Sequence, residues 1–434
     1  MNLYTRIMRG LRTRLRYGRE GLEVELPRKN VVAILELPEG MAPIGEEGVR
    51  RALDEPIGSP RLEELCRGKS QACVLVSDIT RPVPNREILP PLLARLEEGG
   101  IPRDAITILV ATGLHRVNTP QELDEMLGAD VAREYQVLSH DSRDRTRARD
   151  LGNTAAGTPI VVNRDYADSE LKIATGLIEP HLMAGFSGGR KAVCPGICYP
   201  ETLRIMHGAK MLASPLVTTG VLDGNPLHQE ATEIARRVGI DFLVNVVINR
   251  ERQSTGVFAG DWEKAFLQGV RFCEKAVGVE VPEPVDIVVT TSAGYPLDTT
   301  FYQSIKGIYG ALPLVKPGGT IVMAAGCEEG LGSEEFTQLM LETPSLETFE
   351  KNLERDDFFV IDQWQLQQLS MARKKAEILL FAGKLDGKLR DLLLIPCVES
   401  VEEGVDAALR RHGPDATIAV IPEGPYVLPR VGHA

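Results

Sequence analysis

The sequence predicts an α/β protein built from two domains, each with a mainly parallel sheet. Short apolar, β-branched runs alternate with helical patterns through most of the chain. Such runs are typical of strands that are buried on both faces of a parallel sheet. The alternation stops at residues 279–284 (VEVPEP), where two prolines and a lack of periodicity indicate a linker, and then starts again. With 434 residues the chain is also longer than one hydrophobic core usually supports.

Each predicted element follows from its residue pattern. Strands are predicted at residues 31–37, 72–76, 106–111, 160–162, 171–175, 242–248, 286–291, 320–325, 378–381 and 417–421. Helices are predicted at residues 85–98, 119–127, 226–237, 262–277, 300–315, 334–341, 346–355, 359–372 and 401–411. Thr119 gives the clearest helix start, because this N-cap residue is followed by Pro120 at the first helical position and Glu122 at the third.

The same pattern predicts the domain boundaries. We expect a basic N-terminal extension at residues 1–16, a first domain at residues 17–278 and a second domain at residues 279–434. The last strand could pack back on the first domain.

Composition excludes several classes of function. A hydrophobic content of 43% and a charged content of 25% are ordinary for a globular protein, and no apolar run approaches the ~20 residues of a membrane-spanning helix. The formal net charge of −12 argues against a nucleic-acid or anionic-membrane surface. A local basic pocket could still form from Arg81, Arg190, Lys191 and Lys306. Seven scattered cysteines without paired metal spacing are typical of free thiols in a reducing cytoplasm, the compartment that we expect.

Residues 185–207 (GFSGGRKAVCPGICYPETLRIMH) carry the strongest indication of a site. A glycine-rich turn precedes Lys191, His207 ends a short helical pattern, and His181 lies just upstream. Residues 181–207 thus hold two of the chain's 7 histidines, a concentration that indicates a site rather than a core. A P-loop needs glycine before the lysine and a hydroxyl residue after it. Here Arg190 and Ala192 occupy those positions, which disfavours a nucleoside-triphosphate site.

Other polar residues follow predicted strands. Asp78 and Arg81 come after the strand at 72–76, His115 after that at 106–111, His181 after that at 171–175, and Tyr295 after that at 286–291. In open α/β sheets, ligands bind beyond the carboxyl ends of the strands. We therefore expect one active-site cleft between the two domains.

Four segments together resemble the nickel-pincer lactate racemase family of 2-hydroxy acid racemases and epimerases. They are SDITRP (77–82), ATGLH (111–115), the stretch around SGGRK (187–191) and YPLDTTFYQSIKG (295–307). They occur in the family's order, and the resemblance runs from about residue 17 to near the C-terminus.

The resemblance implies a covalently held cofactor. It assigns Lys191 a thioamide bond to pyridinium-3-thioamide-5-thiocarboxylic acid mononucleotide carrying nickel, and it assigns the nickel-ligand position to His207. Imidazole suits nickel(II), and a square-planar geometry fits two pincer sulfurs, one ring carbon and one nitrogen. Gly188 and Gly189 would allow close backbone approach to the nucleotide. The resemblance places two further residues on the cofactor side, Asp78 and Trp364.

The resemblance also implies two proton-transferring histidines. Removing the proton from a hydroxyl-bearing carbon would leave a poorly stabilised carbanion, whereas removing hydride leaves a 2-keto acid if the hydroxyl proton is taken at the same time. A racemase must do this for both enantiomers, so it needs two bases, and imidazole, with a pKa near ~6.5, suits that task. His115 and His181 match these alternating bases.

The remaining matches lie on the substrate side. Arg81 matches the residue that binds the substrate carboxylate, which favours a planar bidentate donor. Gln303 and Lys306 match further polar contacts, with Tyr302 as a weaker candidate beside them. The histidines at 140, 228, 412 and 433 match no motif and are interpreted as surface or structural.

The sequence thus predicts a cytoplasmic 2-hydroxy acid racemase or epimerase that depends on cofactor-synthesis enzymes for maturation. Two alternatives remain at this point. A NAD-type 2-hydroxy acid dehydrogenase is disfavoured, because no GxGxxG follows an early strand with an acidic residue ~20 positions later. A non-catalytic nucleotide- or metal-binding homologue would be expected to lack one of the two bases, yet both histidines are present.

Overall fold

The computed structural model describes residues 10–37, 41–355 and 357–432. Its strands are β1 (Leu11–Leu15), β2 (Leu22–Leu26), β3 (Val31–Ile34), β4 (Ala72–Ser77), β5 (Ile106–Ala111), β6 (Gln136–Ser139), β7 (Ala148–Asn153), β8 (Pro159–Asn163), β9 (Leu171–Leu177), β10 (Pro180–His181), β11 (Gly185–Phe186), β12 (Phe242–Ile248), β13 (Ser254–Gly260), β14 (Gly278–Val281), β15 (Val285–Thr291), β16 (Val315–Ala324), β17 (Glu377–Phe381), β18 (Ile418–Ile421) and β19 (Leu428–Val431).

Its α-helices are α1 (Gly45–Asp54), α2 (Leu62–Leu65), α3 (Asn85–Glu98), α4 (Pro120–Leu127), α5 (Ala129–Glu134), α6 (Arg164–Ala167), α7 (Pro200–Met206), α8 (Ala209–Leu212), α9 (Pro226–Val238), α10 (Trp262–Val277), α11 (Phe301–Ala311), α12 (Glu334–Glu342), α13 (Leu346–Leu353), α14 (Gln363–Lys375), α15 (Gly387–Arg390) and α16 (Val401–His412). Among the described residues, none of these helices combines the length and the apolar character needed to span a membrane.

The first compact unit comprises residues 41–276 and is built on a six-stranded sheet. Its strand order is β13-β12-β9-β4-β5-β6, and only the β12–β13 pair is antiparallel. β4 and β9 are almost entirely buried, as their apolar sequences predict. Because β9, β4 and β5 are parallel neighbours, the residues that follow them lie along one edge of the sheet.

The second unit combines residues 10–37 with residues 277–432. Its five-stranded sheet has the order β17-β16-β15-β18-β3, and every pair is parallel. The apolar core on one face contains the fully buried Phe301, Ile305 and Ile308 of α11. The prediction of an α/β fold with mainly parallel sheets is confirmed.

The structure draws the boundary near the N-terminus differently from the predicted first domain at residues 17–278. β3 pairs with β18 of the second unit, and the side-chain amide of Asn30 donates to the carbonyls of Pro414 and Ala416 at 2.9 and 2.8 Å. These bonds join residues nearly 390 positions apart, which no local pattern reports. The predicted extension at residues 1–16 lies partly outside the described residues, and the part that is described contains β1, paired with β2 in a hairpin.

Three other elements also differ from the predictions. The predicted linker at 279–284 begins within β14, which pairs in parallel with β19. The predicted strand at 417–421 corresponds to β18, which lies between β15 and β3 in the sheet of its own unit rather than packing back on the first. The predicted strand at 160–162 belongs to β8, which pairs with β7 outside the six-stranded sheet.

Candidate active site

The candidate residues of the first unit lie where neighbouring strands end. Asp78 follows β4, His115 follows β5 by a short turn, and His181 follows β9. The main chain also joins the loop after β5 to the segment after Lys191, since the N–H of Gly113 donates to the carbonyl of Gly196 at 2.9 Å. The segments containing His115 and Lys191, distant in sequence, are therefore in contact.

Asp78 and His115 form a close pair. Oδ2 of Asp78 lies 2.6 Å from Nδ1 of His115, and Oδ1 accepts from the N–H and the hydroxyl of Thr80 at 3.2 and 2.6 Å. Burial alone would raise the pKa of the Asp78 carboxyl, but His115, Arg81 and Thr80 outweigh burial and lower that pKa. The carboxylate is thus ionised and fixed, and it orients an imidazole whose side chain is 40% exposed.

His181 is held by the main chain instead. It lies in the short β10–β11 hairpin, and its Nδ1 accepts from the N–H groups of Met183 and Ala184 at 3.2 and 3.1 Å. Its Nε2 lies 3.2 Å from Nζ of Lys191. The structure therefore brings one predicted base directly against the predicted cofactor lysine.

Two left-handed glycines shape the turn before Lys191. Gly188 has φ 86° and Gly189 has φ 55°, a region that favours glycine. A Cβ on Gly188 would meet Oδ1 of Asn245 at 2.7 Å, and one on Gly189 would meet the ring of Phe266 at 2.6 Å. The fully buried Asn245 also accepts from the N–H of Gly189 at 2.7 Å. These glycines are thus required by packing within the protein itself.

Arg190, one of the four residues that could have formed a basic pocket, is buried in the loop that carries Lys191. Its side chain is fully buried, and it donates to the carbonyls of Ala184, Phe186 and Gly188 at 2.6–3.2 Å. Its guanidinium also lies 4.6 Å from the centre of the Phe266 ring, and burial lowers its pKa to about 9. Arg190 therefore fixes the loop that carries Lys191 rather than presenting charge to a ligand.

Arg81 lies between the two histidine regions. Its Nε is 3.8 Å from the carboxylate of Glu179, and both side chains are largely buried. Glu179 precedes His181 by two residues, and no motif in the sequence had identified it as a site residue. The arginine is thus placed near both histidines by its ion pair and by its position after β4.

His207 lies at the C-terminal end of α7, as predicted. Its N–H donates to the carbonyl of Leu203 at 2.8 Å. Burial, with a smaller contribution from the charge of Lys191, lowers the pKa of its imidazole to about 3. The ring is therefore neutral, which is the form that binds a metal ion. Among the residues that the structure describes, no group of three or more His, Cys, Asp or Glu side chains is arranged to hold a metal ion. The resemblance requires only this one protein ligand, so the two observations do not conflict.

The substrate-side predictions of the second unit lie on α11. Tyr302 accepts at its hydroxyl from Nε1 of Trp364 at 2.8 Å, and its carbonyl accepts from the side chain of Gln365 at the same distance. Thr300 caps the helix by accepting from the N–H of Gln303. The side-chain oxygen of Gln303 is buried without a hydrogen-bond partner among the described residues. Tyr302 and Trp364 are thus brought together, although they are 62 residues apart.

The other described histidines have structural roles. His140 is fully buried, with Nε2 3.1 Å from the carbonyl of Cys198. His228 lies in α9 near the ring of Phe266, and Nε2 of His412 lies 2.8 Å from the hydroxyl of Thr320. The histidine at position 433 lies outside the described residues.

Family models and known proteins are similar to this chain over most of its length. The model of the lactate racemase N-terminal domain matches residues 17–220, and that of the lactate racemase C-terminal domain matches residues 281–428. Lactate racemase of Thermoanaerobacterium thermosaccharolyticum is 34% identical over 420 residues, which cover 95% of this chain and 98% of that protein. Lactate racemase of Lactiplantibacillus plantarum is 35% identical over 396 residues, which cover 88% and 90%.

Solved structures extend the comparison to the fold. The lactate racemase apoprotein from T. thermosaccharolyticum superposes with a TM-score of 0.90 at 34% identity, covering 97% of this chain and all of that one. A Thermotoga maritima protein, 18% identical with a TM-score of 0.68, shares the fold alone. The chain therefore belongs to the lactate racemase family, and it is an isomerase of the racemase type.

Proposed function

We infer that the chain racemises or epimerises a 2-hydroxy acid, with His115 and His181 transferring the hydroxyl proton. The single observation that carries this inference is the contact of His181 with Lys191 in a unit where His115 is oriented by Asp78. Imidazoles at the ends of two strands of one sheet can each handle a proton near neutral pH. Lactate is the first substrate to test, because the two relatives are lactate racemases.

Lys191 and His207 fit the nickel-pincer nucleotide that the resemblance implies. Lys191 follows a turn that is held rigidly by Asn245 and the buried Arg190. His207 offers a neutral imidazole that is close enough to Lys191 to be affected by the charge of the lysine. When bound, the group would supply a hydride acceptor and the nickel ion. Asp78, Gly188, Gly189 and Trp364 are assigned to the cofactor side of the same proposal. Maturation would require the enzymes that synthesise the cofactor.

The protein's own residues would bind and orient the substrate. Arg81 would hold the carboxylate through two parallel N–H donors, and Gln303, Lys306 and Tyr302 would contribute further polar contacts. The unpartnered oxygen of Gln303 is available to accept a hydrogen bond.

All seven cysteines are free thiols, which supports our proposal that the protein works in a reducing cytoplasm.

A deuterium experiment tests the reaction. The protein, produced together with the cofactor-synthesis enzymes, is incubated in ordinary water with single enantiomers of 2-hydroxy acids deuterated at C2. We expect loss of optical purity with retention of deuterium, because hydride transfer does not exchange the C2 hydrogen with water. Loss of deuterium at the rate of racemisation would contradict hydride transfer. No loss of optical purity with any 2-hydroxy acid would contradict the proposed function.

Mass spectrometry tests the attachment independently of activity. The peptide containing Lys191 should carry a covalent mass increment, which Lys191→Ala abolishes. Lys264→Ala, on the surface of α10, is the matched control and should leave the increment in place. His207→Ala should reduce nickel content while the lysine adduct remains possible. An unmodified Lys191 in a fully active preparation would exclude the tether.

A further inference from the structure

The two histidines have opposite hydrogen-bond partners at Nδ1. At His115 the partner is a carboxylate oxygen of Asp78, which can only accept. At His181 the partners are the N–H groups of Met183 and Ala184, which can only donate. A neutral imidazole has one N–H and one lone pair. The proton therefore lies on Nδ1 in His115. In His181 the two amides occupy Nδ1, so the proton lies on Nε2 once Nζ of Lys191, 3.2 Å from Nε2, is no longer an ammonium group, as in the tethered lysine of the proposed function.

The supporting residues make these patterns firm. Asp78 is buried, and Thr80 holds its other oxygen through both the N–H and the hydroxyl, so the carboxylate cannot rotate away from His115 without losing two bonds. His181 pairs with Gly185 in the hairpin. The two amides that face its ring belong to the turn between the strands, and their direction is set by the backbone.

We propose that Asp78 is a positioning residue that makes His115 the proton acceptor of the resting protein, while the main chain of the β10–β11 hairpin makes His181 the proton donor. The inference rests on the proposed function, since it assigns to the same two histidines the direction in which each transfers a proton. Nε2 of His115 takes the hydroxyl proton of one enantiomer. C2 loses hydride at the same time, which leaves the 2-keto acid, and the hydride returns to the other face of C2. The Nε2 proton of His181 then passes to the oxygen of the product. His115 has gained one proton and is a cation, while His181 has lost one and is an imidazolate whose Nδ1 is stabilised by the two amide N–H groups. Proton exchange with water neutralises both rings and restores the resting pattern.

This asymmetry affects the first turnover and not the steady state. Two enantiomers have the same free energy, so kcat/KM must be equal in both directions. In the first turnover, however, the enantiomer whose hydroxyl faces His115 meets an acceptor, whereas the other meets a donor. A burst of product is therefore expected from one pure enantiomer only.

NMR of the full-length, cofactor-free protein tests the assignment without relying on activity. Histidine labelled with ¹⁵N shows which ring nitrogen carries the proton, and His115→Ala and His181→Ala assign the signals. With both rings neutral, we expect Nδ1–H at His115 and, in Lys191→Ala, Nε2–H at His181. The spectrum is also recorded for Lys191→Ala, because an ammonium group 3.2 Å away would compete for Nε2 of His181. The same tautomer at both positions in Lys191→Ala would overturn the proposal.

Asp78→Asn separates positioning from simple structural support. The amide group of asparagine can donate to Nδ1 of His115, so we expect His115 to change to Nε2–H while His181 keeps its tautomer. Racemisation by the mature protein should fall ~100-fold or more, the scale of a lost general base. An unchanged His115 tautomer, or full racemisation despite a changed one, would overturn the role of Asp78.

Asp144→Asn is the matched control. Asp144 accepts from the N–H and hydroxyl of Thr146 at 3.0 and 2.6 Å, the same turn that Asp78 makes with Thr80, but at the exposed start of another segment. Asp144→Asn should leave the tautomers of both histidines and the rate of racemisation unchanged. If mature wild-type protein fails to racemise any 2-hydroxy acid, the proposed function fails whatever the tautomers are. If the mature wild-type protein racemises a 2-hydroxy acid but His115 and His181 have the same tautomer, only the inference about Asp78 is overturned.

Discussion

The two histidines of the candidate site lie at the ends of strands in one sheet but are supported in different ways. His115 is oriented by a buried carboxylate, itself held by Thr80. His181 is oriented by two backbone amides of a short hairpin. A side-chain support can be removed by one substitution, whereas a main-chain support persists as long as the hairpin does. The region around His115 should therefore respond to mutation and to pH more strongly than the region around His181.

After Asp78, the largest effect outside the histidines is expected at Arg81, which contacts both regions. Its charge contributes to lowering the pKa of Asp78, and its Nε lies 3.8 Å from Glu179 beside His181. Arg81→Lys keeps the charge but loses the planar fork that a substrate carboxylate favours. We expect kcat/KM to fall at least tenfold, which corresponds to a loss of ~1.5–3 kcal/mol of transition-state stabilisation.

The control for this substitution is Arg86→Lys. The guanidinium of Arg86, on α3, donates to the carbonyl of Asp124 at the surface, so kcat/KM should not change. If Arg81→Lys were kinetically silent on the best substrate, Arg81 would not be the residue that binds the carboxylate.

A smaller effect is expected at Thr80. Thr80→Ala removes the hydroxyl that donates to Asp78 at 2.6 Å but keeps the backbone N–H. One lost hydrogen bond corresponds to ~1 kcal/mol, or about fivefold in kcat/KM. Thr146→Ala, which loses the equivalent bond to Asp144, should have no kinetic effect. A loss as large as that of Asp78→Asn would mean that the hydroxyl, rather than the carboxylate, fixes His115.

The smallest effect is expected on the stability of the segment after His115 at low pH. Glu122 caps α4 by accepting from the N–H of Thr119 at 2.8 Å and pairs with Arg116. The hydrogen bond from Arg116, opposed by burial and aided by Thr119, lowers the pKa of Glu122 from 4.5 to about 2. A lowered pKa stabilises the folded state above pH 4.5, and this contribution is lost as the pH falls toward about 2.

Hydrogen exchange can follow this loss. After correction for the intrinsic pH dependence of exchange, protection of residues 116–127 should decline between pH 4.5 and 2 before that of residues 180–186. Glu122→Gln should show the weaker protection already at neutral pH. If both segments lost protection together, the two regions would not differ in their response to acid.

The sequence predicted the location of the site better than its internal support. Continuous apolar runs identified β4, β5 and β9, and the geometry of parallel sheets then placed Asp78, His115 and His181 at one edge. Their position at one edge predicts that Asp78 and His115 lie near each other, but it does not predict the 2.6 Å contact between Oδ2 of Asp78 and Nδ1 of His115. Asn245 could not have been found, because it meets Gly189 from 56 positions away along the chain.

Buried polar groups and distant strand pairs account for the remaining differences. Arg190 was one of four basic residues from which the sequence allowed a local basic pocket. It is buried instead, and three carbonyls within six residues of it accept from the two terminal nitrogens of its guanidinium. β3 and β14 pair with strands near the C-terminus, and no property of residues 31–34 or 278–281 indicates those partners.

The most direct test of the two-histidine site is a single-turnover experiment with His115→Ala and His181→Ala in the mature protein. Each variant is mixed with each pure enantiomer of the best substrate, and the keto acid released on quenching is measured. We expect His181→Ala, which keeps His115, to yield keto acid from one enantiomer only, and His115→Ala to yield none from that enantiomer. Both variants should lose steady-state racemisation almost completely. Identical responses of the two variants to both enantiomers would contradict a site in which each histidine serves one face of the substrate.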